Sequence, residues 1–511
     1  MAAATREGLG GWVRRRVGGW AQRVGRALAS ASDDPFVSPA GRPVNAPYRT
    51  TGNGPRSRNW RTGGYGPNAA LDYSLPGLVR QSRELMRQNP DAVVVQSRLV
   101  SNVVGVGIIP ELADPVVRAV WVAWTAVCMV DGTMSLYGAQ ALAVAAVVEA
   151  GEALVRFRVI DDGLSPVPLR LQVLEAEYLV TSKNEETAGG GYIRHGIEFD
   201  AEGRRVAYWL YPCHPDDVTP GGYNNTPIRV PAGEILHIYR ARRPGQIRGV
   251  PWITPILDLL KDLADYKDAE LVRKKVAALY AVFVKRPYPE GMDAEQLARV
   301  LAAVKTDDDG AEGELEPGTM WFLDPGEEVE FSEPADLGGQ YAEFMKQQYR
   351  SIAAAVGLLY EQVTGDYANG NDRLYRAAFN EFRRNIRQIQ HHMVIFQMCR
   401  PILARFSLLA KLKSVIPDEF DAAAVPWVPE AWPYINPVQD VAAKVAAIRA
   451  GIDTRSRVAG ESGHSAADID EENARDQNRA TGLGLVYDTN AKQVDDKGAK
   501  QPVDPPQEEA A

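Results

Sequence analysis

Glu175 and Glu177 stand two residues apart in a strand-like stretch, so their carboxylates are expected on one side of it. That is an arrangement a glycosidase uses for its acid and its nucleophile or base, and also that of a solvated strand face. Few other residues fall into a catalytic pattern. The six histidines, at 195, 214, 237, 391, 392 and 464, show no HExxH and no other zinc-ligand spacing. Cys213 and His214 are neighbours in sequence, but a thiol–imidazole pair needs proximity in space. The three cysteines, 128, 213 and 399, form no CxxC, which disfavours a zinc cluster or disulfide scaffold and suits a reducing compartment. Gly105-Val106-Gly107 lacks the third glycine of a dinucleotide loop, and neither GxxxxGK[ST] nor GxSxG occurs. These absences move the reading from catalysis, metal or cofactor toward structure and assembly.

Three other groups carry chemistry of a different kind. Asp258, Asp262 and Asp265, at spacings of 4 and 3, share one stripe of a helix. Such a stripe repels phosphate if it lines a DNA path; it is equally a solvent or intersubunit face. Asp307-Asp308-Asp309 make an acidic loop. Thr364–Asn371 is a polar loop in which Gly365 and Gly370 free the backbone and Asn369 and Asn371 tolerate unusual dihedrals. Asp366 and Tyr367 lie within it, and Arg373 and Arg376 follow one turn apart on the next helix, within reach of a phosphate.

The elements that must position these groups can be read in order. A helix is expected from about Ser74-Leu75-Pro76 to Gln88, and a second from Asn89-Pro90 to the glycines at 105 and 107. Trp121 and Trp124 mark a third, and an alanine-rich helix runs to Ala150. Strands are expected at Ala153–Ile160, Leu169–Leu174, Ile193–Phe199 and Val206–Leu210, the last two joined by a turn at Asp200–Gly203. Thr254-Pro255 reads as the cap and first residue of a long helix to about Phe283. Residues 286–335 read as a small unit with a short helix (Ala294–Lys305) and a hairpin of Thr319–Leu323 with Glu328–Phe331. A helix with Tyr341, Met345, Ile352, Val356 and Leu359 on one face comes next. Beyond the polar loop, Phe379, Phe382, Ile386, Ile389, Met393 and Phe396 follow a near-heptad spacing on a long helix that Pro401 is expected to kink or end. Helices are then expected from Asn436-Pro437 to Gly451 and over about 468–480, before a polar tail.

With 511 residues the chain has room for about three modules. Its net charge of −9 is uneven: residues 1–61 hold eleven Arg and three acids, +8, which leaves −17 for the rest. A basic arm on an acidic body is not the charge of a protein that wraps nucleic acid. In the arm, Val13, Val17, Trp20, Val24 and Leu28 form an apolar stripe among basic residues, suited to docking on a neighbour or to contact with DNA or an anionic surface. No apolar run there reads as a secretory signal, and no membrane span is expected: Gly132–Val148 is uncharged but short, bracketed by Asp131 and Glu149.

Taken together and in order, several blocks resemble the portal proteins of tailed bacteriophages, lambda-type branch. They are Ser101–Pro110, Trp121-x-x-Trp124 with Asp131-Gly132, Gly151-Glu152-Ala153, Leu171-Gln172-x-Leu174-Glu175, Gly196–Asp200 and Ala207-Tyr208-Trp209. The most specific is Arg243-Pro244-Gly245-Gln246-Ile247-Arg248-Gly249-Val250-Pro251, followed by Gly318-Thr319, Asp324–Glu327, Gly365-Asp366-Tyr367 and Trp432…Asn436-Pro437. The similarity runs from about residue 71 to 480. The chain departs from it at Asn371-Asp372-Arg373-Leu374, where the family's serines are missing but Arg376 keeps a matching arginine.

The resemblance implies an α+β, mainly helical ring subunit with wing, stem, clip and crown. Residues 1–70 would be a flexible basic arm, 71–250 the α+β wing module, and 251–285 and 336–362 the two stem helices. Residues 286–335 would be the clip and 363–373 the tunnel loop. The long wing helix and a Pro/Trp-rich connection would fill 374–435, the crown 436–480 and a disordered tail 481–511. The implied assembly is a homo-oligomeric ring, typically a dodecamer, at one capsid vertex of the virion, built in the cytoplasm of a host bacterium. Double-stranded DNA would pass through it in packaging and ejection. The terminase large subunit, major capsid and scaffold proteins and head–tail connector proteins would be its partners, with Asp307–Asp309 as docking candidates. No enzyme activity, cofactor, metal or membrane is implied. The alternatives are a phage-encoded glycoside hydrolase using Glu175/Glu177 and a head or baseplate protein without a channel.

Overall fold

The computed structural model describes residues 36–37, 43–44, 65–217, 225–278, 282–285, 293, 295, 328–331, 341–368, 371–432, 436–463, 466–485 and 487. Two short strands, β1 (Phe36–Val37) and β2 (Pro43–Val44), pair antiparallel in the N-terminal arm. Helix α1 (Leu71–Gln88) begins a turn earlier than Ser74-Leu75-Pro76 suggests, with Pro76 inside it at the loss of one N–H bond. Helix α2 (Pro90–Val103) starts where Asn89-Pro90 predicts: the Asn89 side chain accepts from the N–H of Asp91 (2.9 Å) and Ala92 (3.2 Å). After strand β3 (Ile109–Pro110), Asp114 caps α3 (Pro115–Val127) in the same way, and Ser135 caps α4 (Leu136–Ala150).

These helices pack on an antiparallel three-stranded sheet of β4 (Glu152–Val159), β5 (Leu169–Leu174) and a later strand, Ile235–Tyr239. A five-stranded antiparallel sheet follows: β6 (Glu185–Glu186), β7 (Tyr192–Arg194), β8 (Ile197–Phe199), β9 (Arg205–Leu210) and β10 (Ile228–Pro231), in sequence order across the sheet. The expected single strand Ile193–Phe199 is two strands. His195 (φ 52°) and Gly196 (φ 76°) turn the chain between them, both at the positive φ that a two-residue hairpin of the right twist requires. The Asp200–Gly203 turn does join β8 to β9, and the Asp200 carboxylate accepts from the N–H of Arg204 at 2.7 Å. Ile235–Tyr239, hereafter β11, pairs with β4, His237 lying opposite Leu154. Leu154, Leu174, Ile197, Phe199, Tyr208 and Val230 form a small core between the sheets.

The larger core centres on Trp121 and Trp124, both buried. Trp121 meets Phe406 edge-on at 4.9 Å, and the Trp124 indole donates to Leu169 O at 2.8 Å. A 3₁₀ turn, Thr254–Ile256, leads into α5 (Leu257–Ala278). Thr254 lies inside that turn, its hydroxyl donating to Pro251 O (2.7 Å), so it is not the expected cap. The helix also stops short of Phe283: Val282–Lys285, rich in β-branched and aromatic residues, is strand β12. It pairs antiparallel with β13 (Glu328–Phe331), so the described partner of 328–331 is β12; Thr319–Leu323 and the helix expected at Ala294–Lys305 lie largely outside the described residues.

Helices α6 (Tyr341–Val356) and α7 (Tyr360–Thr364) precede the polar loop. Helix α8 (Asp372–Ile389) continues through a π-helical stretch, Gln390–Cys399, into α9 (Arg400–Leu412). Pro401 neither ends nor breaks it. The π stretch, whose wider turn bonds Arg400 N–H to Ile395 O, comes immediately before the proline and absorbs the change of register. Arg373–Leu412 is thus one helix of 40 residues, long and apolar enough to cross a membrane by length and composition, but 56% of its apolar window is buried within the protein. Its buried side chains, Phe382, Ile386, Met393, Ile402 and Phe406 among them, belong to the large core. Gln397 locks it to the sheet, accepting from Tyr239 N–H (2.9 Å) and donating to Tyr239 O (3.1 Å). Strand β14 (Trp427–Val428) pairs with β3. Helices α10 (Pro437–Arg449), α11 (Arg455–Glu461) and α12 (Ala466–Gly482) complete the described chain, the last somewhat longer than the expected 468–480. The fold class is α+β, mainly helical.

Candidate functional site

Helix α5 divides its residues by face. Leu257, Leu260 and Leu263 are buried in the core, and Lys267 pairs with Asp91 at 2.6 Å, where the Tyr349 hydroxyl also donates to Asp91 (3.0 Å). Asp258, Asp262 and Asp265 lie together on the exposed face, with no ion pair among the described residues. Partial burial and the neighbouring charge of Asp262 raise the pKa of Asp258 above the usual aspartate value. The three carboxylates face solvent, and Lys261 is the cation beside Asp258 that opposes this shift. Tyr266 of α5 stacks on Tyr341 of α6 (5.8 Å between ring centres) and meets Phe344 at 5.0 Å, so the two long helices touch just outside the segment that separates them.

The polar loop is more ordered at its ends than its composition suggests. Gly365 closes α7 with φ +72°. The Asp366 carboxylate accepts from Ala368 N–H (3.1 Å) and from the Tyr360 hydroxyl (3.4 Å), while Asp366 N–H donates to the Thr364 hydroxyl (3.2 Å). Tyr367 is exposed, yet its ring leans toward Tyr375 at 6.2 Å, an aromatic contact where none was expected. Asn371 caps α8, accepting from Arg373 N–H at 3.0 Å, so it belongs to the helix start and not to the free span. Arg373, exposed, and Arg376, half-buried, follow on the first turns of α8. Asn369 and Gly370, like Asp307, Asp308 and Asp309, lie outside the described residues.

Glu175 and Glu177 do come together, but not on a strand: Glu175 follows β5 and Glu177 sits in a 3₁₀ turn, Ala176–Tyr178. The Arg83 guanidinium holds both, at 2.8 Å and 2.9 Å, and His214 Nε2 lies 3.0 Å from Glu175. Burial raises the pKa of Glu177 against the pull of Arg83. The Glu175, Glu177 and His214 ligand atoms lie within 4.8 Å of one another, near enough for a metal ion, but Arg83 already supplies the cation there. A carboxylate pair clamped by one arginine has no free acid and base to offer a glycoside, which counts against the hydrolase reading.

Sequence reasoning missed a buried charge cluster behind the turn that leads into α5. Glu152, with no solvent exposure, accepts from Arg248 Nε (2.6 Å) and Gly249 N–H (2.8 Å) and bonds His237 Nε2 (2.9 Å). Arg205 donates to Tyr239 OH (2.7 Å) and sits 3.2 Å from His237 Nδ1, which therefore accepts, leaving the imidazole proton on Nε2 toward Glu152. Burial alone would raise the Glu152 pKa; Arg248 and His237 outweigh it and hold the carboxyl well below the usual range. The signal was present in Gly151-Glu152-Ala153 and Arg243–Pro251, two blocks with nothing in the sequence to pair them.

The chain is 24% identical over 322 residues to the probable portal protein of Halomonas phage phiHAP-1, covering 62% of this chain and 61% of that protein. It is 23% identical over 320 residues to the portal protein of Escherichia phage N15, covering 57% and 60%. It thus spans about three fifths of the length of these relatives. Among solved structures it is similar to a chain in the neck of an empty GTA particle computed with C6 symmetry, with TM-score 0.43, 16% identity, 75% of this chain and 94% of that chain covered. A family profile described as "Phage portal protein, lambda family" matches residues 53–390, well over half of the sequence, and the chain belongs to that family.

Proposed function

We propose that this chain is the subunit of a phage portal ring, a homo-oligomer at one capsid vertex of the virion through which double-stranded DNA is packaged and ejected. The observation that carries the reading is the succession of α5, the 286–335 segment based on the β12–β13 pair, α6, a loop held at both ends, and the 40-residue helix. Two long helices touching at Tyr266, Tyr341 and Phe344 make a stem. Leu271 (51%), Val272 (57%) and Phe344 (44%) are exposed on that stem in the single chain, apolar surface that a neighbouring copy would cover.

In this reading 71–250 is the wing, 286–335 the clip, 436–480 the crown, and the ring is a dodecamer assembled in the host bacterium. Asp258, Asp262 and Asp265 face the channel and repel phosphate, so that DNA slides without being gripped. Asp366, Tyr367, Asn369, Asn371, Arg373 and Arg376 make the weak, shifting contacts of a tunnel loop. Asp307–Asp309 take part in docking the terminase large subunit and then connector proteins, while capsid and scaffold proteins surround the wing. The subunit itself performs no catalysis. Electron micrographs of the purified full-length chain test the proposal: ring particles with a central hole are expected, and a protein that stays monomeric or dimeric across salt conditions refutes it.

A further inference from the structure

Helix α3 is apolar on the side turned to solvent as well as on the side turned inward. Val117, Trp121 and Trp124 point into the large core. Arg118, on the flank, pairs with Asp468 of α12 at 2.7 Å. The side away from the tryptophans holds Val116, Ala119, Val122, Ala123 and Ala126, all exposed, Val122 to 60%. No charged residue occurs from Ala119 to Val130. A helix apolar all round belongs in an interior, and this one shows a whole face to solvent. On the helical wheel the three alanines lie mid-face, with Val122 along one edge and Val116 along the other. The face is a shallow groove between two low walls. A second apolar face lies at the end of α9. Leu408 (50% exposed) and Leu412 (73%), four residues apart, form one ridge. Exposed Val159, at the end of β4, stands beside it: Arg405 of α9 lies over the Phe157 ring of β4 at 5.7 Å, and Lys413 pairs with Asp161 at 2.7 Å.

The ridge and the groove face away from each other. Trp121 and Trp124 meet Phe406 at 4.9 Å and 5.1 Å, so α3 and α9 present these rings to one another. Leu408 and Leu412 are turned more than a right angle from Phe406 around α9, and the alanines are turned as far from the tryptophans around α3. One chain therefore cannot seat its own ridge in its own groove across that core. A second copy can. Ridges spaced four residues apart pack into grooves of the same spacing, and Ala119-x-x-x-Ala123 supplies such a groove for Leu408-x-x-x-Leu412. Two different, complementary faces on opposite sides of one body are what a head-to-tail contact requires, and such a contact closes into a ring. Charge selects the same place. Residues 62–511 carry a net −17, so two copies repel over much of their surface, and the α3 groove bears no charge.

We infer that the Leu408–Leu412 ridge of one copy seats in the α3 groove of the next, a head-to-tail contact repeated around the ring. The inference rests on the ring proposed above. The test compares full-length wild type, V122D and L412D by mass photometry, with thermal melting of the unassembled chain as a check of folding. Both substitutions fall at exposed positions, so both variants are expected to melt like wild type. Each is expected to self-associate ~tenfold or more weakly. The double variant V122D/L412K, which places opposite charges on the two faces, is expected to assemble better than either single variant. If wild type forms rings and V122D and L412D form them as readily, the inference is wrong and the ring stands. If wild type forms no rings, the portal reading fails and takes the inference with it. If only V122D weakens assembly, the groove takes something other than the ridge and the inference is overturned. Rings of both variants that form normally but fail to enter proheads assign the two faces to the capsid and overturn it as well. Should either variant melt early, V122Q and L412Q decide in their place.

Discussion

Glu152 and Arg248 form an ion pair with essentially no access to solvent, Nε to Oε1 2.6 Å, that ties the first residue of β4 to the turn leading into α5. The two segments run together closely there: a Cβ at Gly249 would lie 1.9 Å from Gly151 O, and one at Gly151 2.4 Å from the Val250 carbonyl carbon. The pair thus fixes the start of β4 against the base of the first long helix. Replacing Glu152 by Gln keeps the volume and strands the Arg248 charge in the core. E152Q is expected to lose about 3–5 kcal/mol of stability, the usual cost of halving a buried pair, and to show it as a lower midpoint in urea. A midpoint equal to wild type would mean the cluster does not hold the junction.

The same cluster sets a pH response. Burial depresses the His237 pKa against the pull of Glu152, with Arg205 and Arg248 adding like charge and the Tyr208 and Tyr239 rings packed around it. The unfolded chain takes up a proton at His237 near pH ~6.5 that the folded chain refuses, so stability declines as pH falls below that value. Glu152 is held low in the fold, so its contribution is present above the unfolded value near ~4.3 and is lost as pH falls further. Urea midpoints are expected to drop in two stages on acidification, and H237Q to lack the first stage while keeping the second. A wild-type midpoint flat between pH ~7.5 and ~5 would refute this.

Much of this architecture was legible in the residues, for identifiable reasons. Caps that act locally, Asn89-Pro90 and Asn436-Pro437, announced helix starts that the structure contains. Errors arose where tertiary contacts overrule local pattern. Ile193–Phe199 reads as one strand because nothing in its hydrophobicity reveals a turn at His195-Gly196, which is packed against Val180. Pro401 reads as a helix end because a compensating π stretch has no sequence signature. Glu175 and Glu177 read as a free carboxylate pair because their partner, Arg83, is more than ninety residues away in sequence.

The acidic stripe of α5 yields a prediction about DNA passage. Changing Asp258, Asp262 and Asp265 to Asn removes three exposed charges that make no ion pair among the described residues, so folding and ring formation should be unaffected. Loss of repulsion lets phosphates linger, and packaging into proheads is expected to slow at low salt. The gap should close as salt rises, because exposed charges are screened over ~8 Å at physiological ionic strength. Normal packaging at low salt with impaired ring formation would place the stripe between subunits instead.

The 286–335 segment yields a prediction about docking. Its described part is the β12–β13 pair, which follows α5 and precedes α6 in the chain. Reversing Asp307, Asp308 and Asp309 to Lys is expected to weaken binding of the terminase large subunit several-fold while rings still form. Charge pairs at an interface rim act chiefly on association rate, so the loss should appear as slower binding in surface plasmon resonance and should shrink at high salt. Unchanged terminase binding would remove these residues from the docking surface.

The loop between α7 and α8 yields the last prediction. Its two ends are fixed, by Gly365 and the Asp366 turn on one side and by the Asn371 cap on the other. Its exposed aromatic, Tyr367, leans on Tyr375 of α8, which continues the contact to Phe379. A force on the loop would therefore reach the long helix that runs through the core. Deleting Tyr367–Gly370 leaves both anchors, so the helices and the ring should form and the ring should enter proheads. What should fail is retention: particles carrying the shortened loop should hold less DNA than wild type after the motor is removed. Tyr367→Ala alone is expected to produce a milder version of this defect, because it cuts the link to Tyr375 while keeping the loop's length. If the deletion variant packages and keeps a full genome, the segment is an ordinary connector and Tyr367 has no part in handling DNA.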